Sequence, residues 1–192
     1  MRLALAVLAS LVLGASAGCM AQTTKVRIYR PFDGGNLAPT FHFTQKTKGA
    51  CFSGSAADPR SDAWRCSIGN TLIDPCFSNP NAHTWVACPA KGTPFGLGVI
   101  RIKLTKPLPT GLANHGSAGR GNPWAVKLAG GTVCTFLTGA TFTFHEQRAN
   151  YGCTKTTFLA GSPNRSSPTW TITLGTGRTS PPKTAVILIA AW

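Results

Sequence analysis

The sequence predicts an all-β fold, a single disulfide-stapled sandwich or barrel over residues 22–192 with at most one short helical turn, preceded by a signal peptide over residues 1–21. Three observations carry that expectation. Apolar and polar residues alternate with period two in run after run, the pattern of half-buried strands. Gly and Pro punctuate those runs at short intervals. Beyond the first residues there is no long amphipathic pattern with helical period.

Taken in order, the chain opens on the three parts of a secretion signal. Arg2 supplies charge, Leu3 to Leu13 is an unbroken apolar or small-residue run, and Gly14 to Ala21 is a small-residue region where a peptidase can cut. The apolar run is about half of the roughly 20 residues needed to cross a bilayer. Two cleavage schemes compete. Ala15-Ser16-Ala17 offers an ordinary signal-peptidase pattern, whereas Ser16-Ala17-Gly18-Cys19 resembles a bacterial lipobox, which would leave Cys19 as a lipidated first residue. Ser16 departs from the Leu usual at that lipobox position.

Strand patterns follow. Val26 and Ile28 alternate with Lys25, Arg27 and Tyr29, and Phe41 and Phe43 flank His42. A helical turn is expected at Arg60 to Cys66, with Asp58 as N-cap and Pro59 at the first helical position. In Val99 to Leu104, Ile100, Ile102 and Leu104 share one face, and Arg101 and Lys103 the other. Gly130-Gly131 reads as a hairpin turn. Phe142 and Phe144 alternate with Thr143, and Trp170, Ile172 and Leu174 with threonines. The closing run Thr184 to Trp192 is apolar on both faces, as a central strand would be. Residues 107–123, with His115 and Arg120, form the longest apparent loop.

The chain holds seven cysteines, and lipidating Cys19 or cutting after Ala21 leaves six: Cys51, Cys66, Cys76, Cys88, Cys134 and Cys153. In an exported domain these read as three disulfides. Sequential pairing (51 with 66, 76 with 88, 134 with 153) is one of about fifteen arrangements. Close C-x-x-C pairs are absent, so zinc is not expected, and without EF-hand, P-loop or dinucleotide-fold spacing neither is another metal or a cofactor. The 19 Lys and Arg outweigh five acids, for a net charge of +14. Outside a cell, that balance favours anionic envelope polymers, acidic polysaccharide, lipid head groups or nucleic acid.

The segment Cys51-Phe52-Ser53-Gly54-Ser55 is followed by Asp62-Ala63-Trp64-Arg65-Cys66, Asp74-Pro75-Cys76-Phe77 and Asn150-Tyr151-Gly152-Cys153. Together they resemble a group of exported proteins of unknown function from actinomycete-type bacteria, over roughly residues 50–192. The resemblance implies an envelope or secreted protein and supplies no activity. Phe52 stands where that group typically has Trp. Read physically, the cysteines staple a compact loop system covered by Trp64 and Phe77, Asp74-Pro75 makes a turn, and Arg65 pairs with Asp62 or Asp74. The functional reading is a binding face of Arg60, Trp64 and Arg65.

Catalytic patterns are thin. His145-Glu146 joins a base to a carboxylate, but strand neighbours point to opposite faces. His42 is expected to face solvent, and His83 lies in a turn-rich stretch. Neither Gly54-Ser55 nor Gly116-Ser117 fits a nucleophile elbow. Trp124, after Pro123 at a loop end, is the best candidate for an exposed sugar-stacking ring, whereas Trp170 and Trp192 suit strand interiors. Asn164-Arg165-Ser166 is a glycosylation sequon.

The sequence therefore points to a non-catalytic, secreted or envelope protein that binds an anionic polymer or a protein partner. Its binding candidates are Arg60, Trp64, Arg65, Arg101, Lys103 and Trp124, its only membrane contact would be a lipid on Cys19, and nucleic acid is the less favoured polymer. A secreted inhibitor or toxin-like effector acting through residues 107–123 is one alternative, and a hydrolase using His145 or His83 another.

Overall fold

The computed structural model describes residues 22–90, 95–110 and 121–192. The signal segment, Cys19, His115 and Arg120 lie outside the described residues. The described residues contain strands and no helix.

The first unit is a closed barrel of five strands: β4 (His42–Gly54), β5 (Ala63–Ile68), β6 (Thr71–Ser78), β7 (Trp85–Pro89) and β8 (Gly98–Leu104). Each is antiparallel to the next. An odd number of alternating strands leaves the first and last running the same way, so closure requires a parallel pairing. β4 and β8 supply it, from His42 opposite Gly98 to Gly49 opposite Leu104. At Gly49 an added Cβ would lie 2.3 Å from the Ser67 carbonyl oxygen and 2.9 Å from Ile102, so only glycine fits this close approach. The expected alternation holds in β8: Ile100 and Ile102 are buried and Arg101 and Lys103 point outward.

The barrel core is Cys51, Trp64, Cys66, Cys76, Val86, Cys88, Ile100 and Ile102. Two disulfides, Cys51–Cys66 and Cys76–Cys88, thus form much of its filling. The Cys51–Cys66 bridge ties directly opposed residues of β4 and β5. The third disulfide is Cys134–Cys153, so the pairing is sequential.

The remaining strands are β1 (Lys25–Arg27), β2 (Phe32–Asp33), β3 (Asn36–Leu37), β9 (Ala125–Leu128), β10 (Val133–Phe136), β11 (Thr143–Phe144), β12 (Gln147–Gly152), β13 (Phe158–Asn164), β14 (Trp170–Gly175) and β15 (Lys183–Ala191). Six of them also form a ring. Pairings run β9–β10–β12–β13–β14–β15 and return from β15 to β9. Here the count is even, and closure is antiparallel, Ala191 opposite Ala125. β15 is the central strand expected of an apolar run, paired with β14, β9 and, in parallel, β1. The β9–β10 hairpin turns at Gly130-Gly131 as expected, with Gly131 at φ 82°.

Tyr29 joins the two rings. Its ring lies 5.3 Å from Phe77 of β6, 5.6 Å from Trp124 beside β9, and 5.1 Å from Phe41. Phe77 and Trp124 belong with Val126, Tyr151, Leu159 and Ile187 to one apolar cluster. Ala63 and Phe77 of the first barrel therefore pack into the apolar cluster of the second ring, while the first barrel keeps its own separate core.

Three expectations are corrected. The helical turn at Arg60 to Cys66 is absent: Asp58 caps the Arg60 N–H at 3.0 Å, but the chain then enters β5, where Cys66 must face Cys51. Asp74-Pro75 makes no turn. It is a bulge inside β6, two residues opposite the single Arg65, the place a strand tolerates proline. His145 and Glu146 are not strand neighbours. Both have positive φ, 44° and 64°, and form the two-residue turn between β11 and β12.

Candidate cationic face

Four cations gather on the outside of the first barrel. On β4, Lys46 and Lys48 point outward two residues apart, and on β8 Arg101 and Lys103 do the same. The parallel register sets Lys46 opposite Arg101 and Lys48 opposite Lys103. These are two like-charged rungs, about 4.8 Å across and about 6.6 Å apart along the strands. The four side chains border a depression of about 370 Å3.

No acid answers them. The described salt bridges join Arg60 to Asp58 and Asp62, and Arg65 to Asp74, leaving all four of these cations without one. Like charges directly opposed on neighbouring strands destabilise a sheet. The face thus carries an electrostatic load that an external anion would relieve.

Aromatic rings border the rungs on one side. The Arg101 guanidinium lies 4.6 Å from the Trp85 ring centre and 5.8 Å from that of Phe43. Lys46 lies 5.8 Å from Phe43. Phe32, on the β2–β3 hairpin, meets Trp85 edge-on at 4.9 Å. These contacts hold Arg101 in place, and a guanidinium with fixed orientation suits bidentate contact to carboxylate or phosphate.

The other expected binding residues are built into the scaffold. Trp64 is buried within the first barrel. Arg60 lies 4.3 Å over Phe77 and pairs with Asp58 at 3.2 Å. Arg65 pairs with Asp74 at 3.8 Å, one of the two acids expected for it from sequence. Trp124 is corrected from exposed to buried, at 3 % exposure. Its backbone N–H donates to the Ala191 carbonyl and its backbone carbonyl accepts from the Phe136 N–H, so the loop end is pulled into the second ring. The cationic face joins Arg101 and Lys103 to Lys46 and Lys48, which the sequence reading missed. The signal was present in the i, i+2 spacing of the two lysines, but Gln45 and Thr47 around them supply no apolar alternation.

Asp74 is the one carboxylate bordering a second recess, of about 490 Å3, whose walls include Ile68, Leu72, Ile73, Pro89, Ile100 and Trp124. Burial pushes its carboxyl above the ordinary carboxylate range. Hydrogen bonds donated by the Ser55 hydroxyl and the Ala56 N–H, together with Arg65, pull the other way. Its oxygens are thus already engaged, and no second acid borders the recess. His42, His83 and His145 are exposed and scattered, His145 approaching the Ser180 carbonyl at 3.4 Å. Among the described residues no group of three or more His, Cys, Asp or Glu is placed to hold a metal.

Comparison with known proteins returned no matching family model, no similar characterised protein and no similar solved structure.

Proposed function

We propose that this chain is a non-catalytic exported protein that binds an anionic polymer of the cell envelope through the β4–β8 face. The carrying observation is the pair of unanswered like-charged rungs, Lys46 with Arg101 and Lys48 with Lys103. Three disulfides support an oxidising compartment, and the net charge of +14 favours accumulation on polyanions. The resemblance of the cysteine-rich segments to exported actinomycete-type proteins agrees with that location.

The test is retention on immobilised anionic cell-wall polymer as salt rises. Binding should weaken linearly on a log–log scale, as expected when cations replace condensed counterions. The quadruple variant Lys46→Gln, Lys48→Gln, Arg101→Gln, Lys103→Gln should elute at markedly lower salt than a variant with four Lys or Arg replaced elsewhere. Equal elution of the two variants would show that net charge, and not this face, does the binding.

A further inference from the structure

Resting on that reading, we infer that the polymer is a linear polyol phosphate, of the poly(glycerol phosphate) type, whose successive phosphodiesters sit on the two rungs. The strand geometry sets the spacing. Lys46 and Lys48, and likewise Arg101 and Lys103, are two residues apart on extended strands, so the rungs repeat every 6.6 Å or about that. A glycerol phosphate repeat has six backbone bonds. An extended polypeptide advances about 3.5 Å per three bonds, so six bonds reach about 7 Å. One phosphate on the Lys46–Arg101 rung therefore places the next on the Lys48–Lys103 rung with the chain extended along the strands.

The donor set fits the same chemistry. Each rung brings two cations to one site, and Arg101, fixed against Trp85 and Phe43, can donate two parallel N–H bonds to a phosphate. The lysines supply compact charge around it. In a 1,4-linked polyuronate a rigid ring fixes the separation of the carboxylates, which cannot adjust to the rungs as a flexible six-bond spacer can.

The aromatic residues argue against a polymer that carries bases. Single-stranded nucleic acid binds through basic grooves combined with open aromatic faces on which bases stack. Here Trp85 is flanked by Arg101 and Phe32, and Phe43 by Lys46, Arg101 and Trp85. Their faces hold the cations in position. The phosphodiester backbone is what this surface can read, and the side groups between phosphates need only be small and hydroxylated.

The experiment is a binding titration of the protein with short poly(glycerol phosphate), polygalacturonate of equal charge number and oligo-dT, each at several salt concentrations. Poly(glycerol phosphate) should bind roughly tenfold more tightly than polygalacturonate. With two phosphates neutralised, one on each rung, its log–log salt slope should be about −1.4, falling to about −0.7 in Lys48→Gln/Lys103→Gln, at the single-strand value of roughly −0.7 per phosphate. That variant removes one like-charged rung from an exposed face, so an undiminished melting temperature serves as its folding control. Equal affinity for polygalacturonate would overturn the phosphate assignment and leave polymer binding standing. Tighter binding of oligo-dT would transfer the face to nucleic acid. Binding of none of the three would overturn both this inference and the reading it rests on.

Discussion

Asp74 shows how one residue can carry structural chemistry that the sequence only half reveals. Its pairing with Arg65 was legible as one of two, since Asp62 lies even nearer to Arg65 along the chain. Its burial was not, because the bulge that turns the carboxylate inward depends on β5 lying alongside. Burial raises the folded pKa above the unfolded value near 3.8. A carboxyl so shifted binds its proton more readily in the folded state, so its contribution to stability is largest in acid and declines as pH rises through the folded pKa. The wild type should therefore gain stability relative to Asp74→Asn as pH falls from 7 toward about 4. Melting curves of both proteins across that range check it, and a relative loss for the wild type would refute the assignment. Trp124 is the opposite case. Its flanking Asn122-Pro123 suggested an exposed loop end, and nothing local reveals that Tyr29, distant in sequence, lies against its ring.

At the scale of the element, alternation served well wherever one face of a strand is buried. β8 and β15 were legible as strands, one half-buried and one central, because burial is written into side-chain order. Strand partners were not legible, since pairing across a closed ring depends on residues far apart in the chain. For that reason the opposition of Lys46 to Arg101 and of Lys48 to Lys103 emerges only from the β4–β8 register. That register carries its own prediction. Lys48→Glu would turn a repulsive cross-strand pair into an attractive one and should raise stability by up to about 1 kcal/mol, measured by denaturant unfolding. The same change should weaken polymer binding. A variant both less stable and equally able to bind would count against the face as described.

For the whole molecule, the sequence indicated all-β architecture and a staple pattern, but not that the chain would make two rings. Composition cannot distinguish one sandwich from two small barrels, because both use short alternating strands and frequent turns. The join between the rings depends on three large rings from separate segments, Tyr29, Phe77 and Trp124. Phe77 is fully buried there. Phe77→Ala should cost about 3–5 kcal/mol, and if the barrels behave as one cooperative unit, tryptophan fluorescence and far-ultraviolet dichroism should report the same unfolding midpoint. Separate midpoints would mean that the rings unfold independently despite their shared cluster.

The closure of the first barrel between its first and last strands also imposes an order of events. Its closing partners, His42 and Gly98, are 56 positions apart, the difference of their residue numbers. Synthesis proceeds from the N-terminus, so β4 must wait for nearly the whole barrel sequence before its outer edge finds a partner. The Cys51–Cys66 and Cys76–Cys88 bridges span only 15 and 12 positions and need no closure. Short loops close at small entropic cost, so both hairpins can be locked while the edge is still open. The two lysines on that waiting edge repel a second copy of it, as charged residues on exposed strand edges do elsewhere. The charges proposed to hold a polymer in the finished protein would thus also keep the unfinished one from pairing with its neighbours.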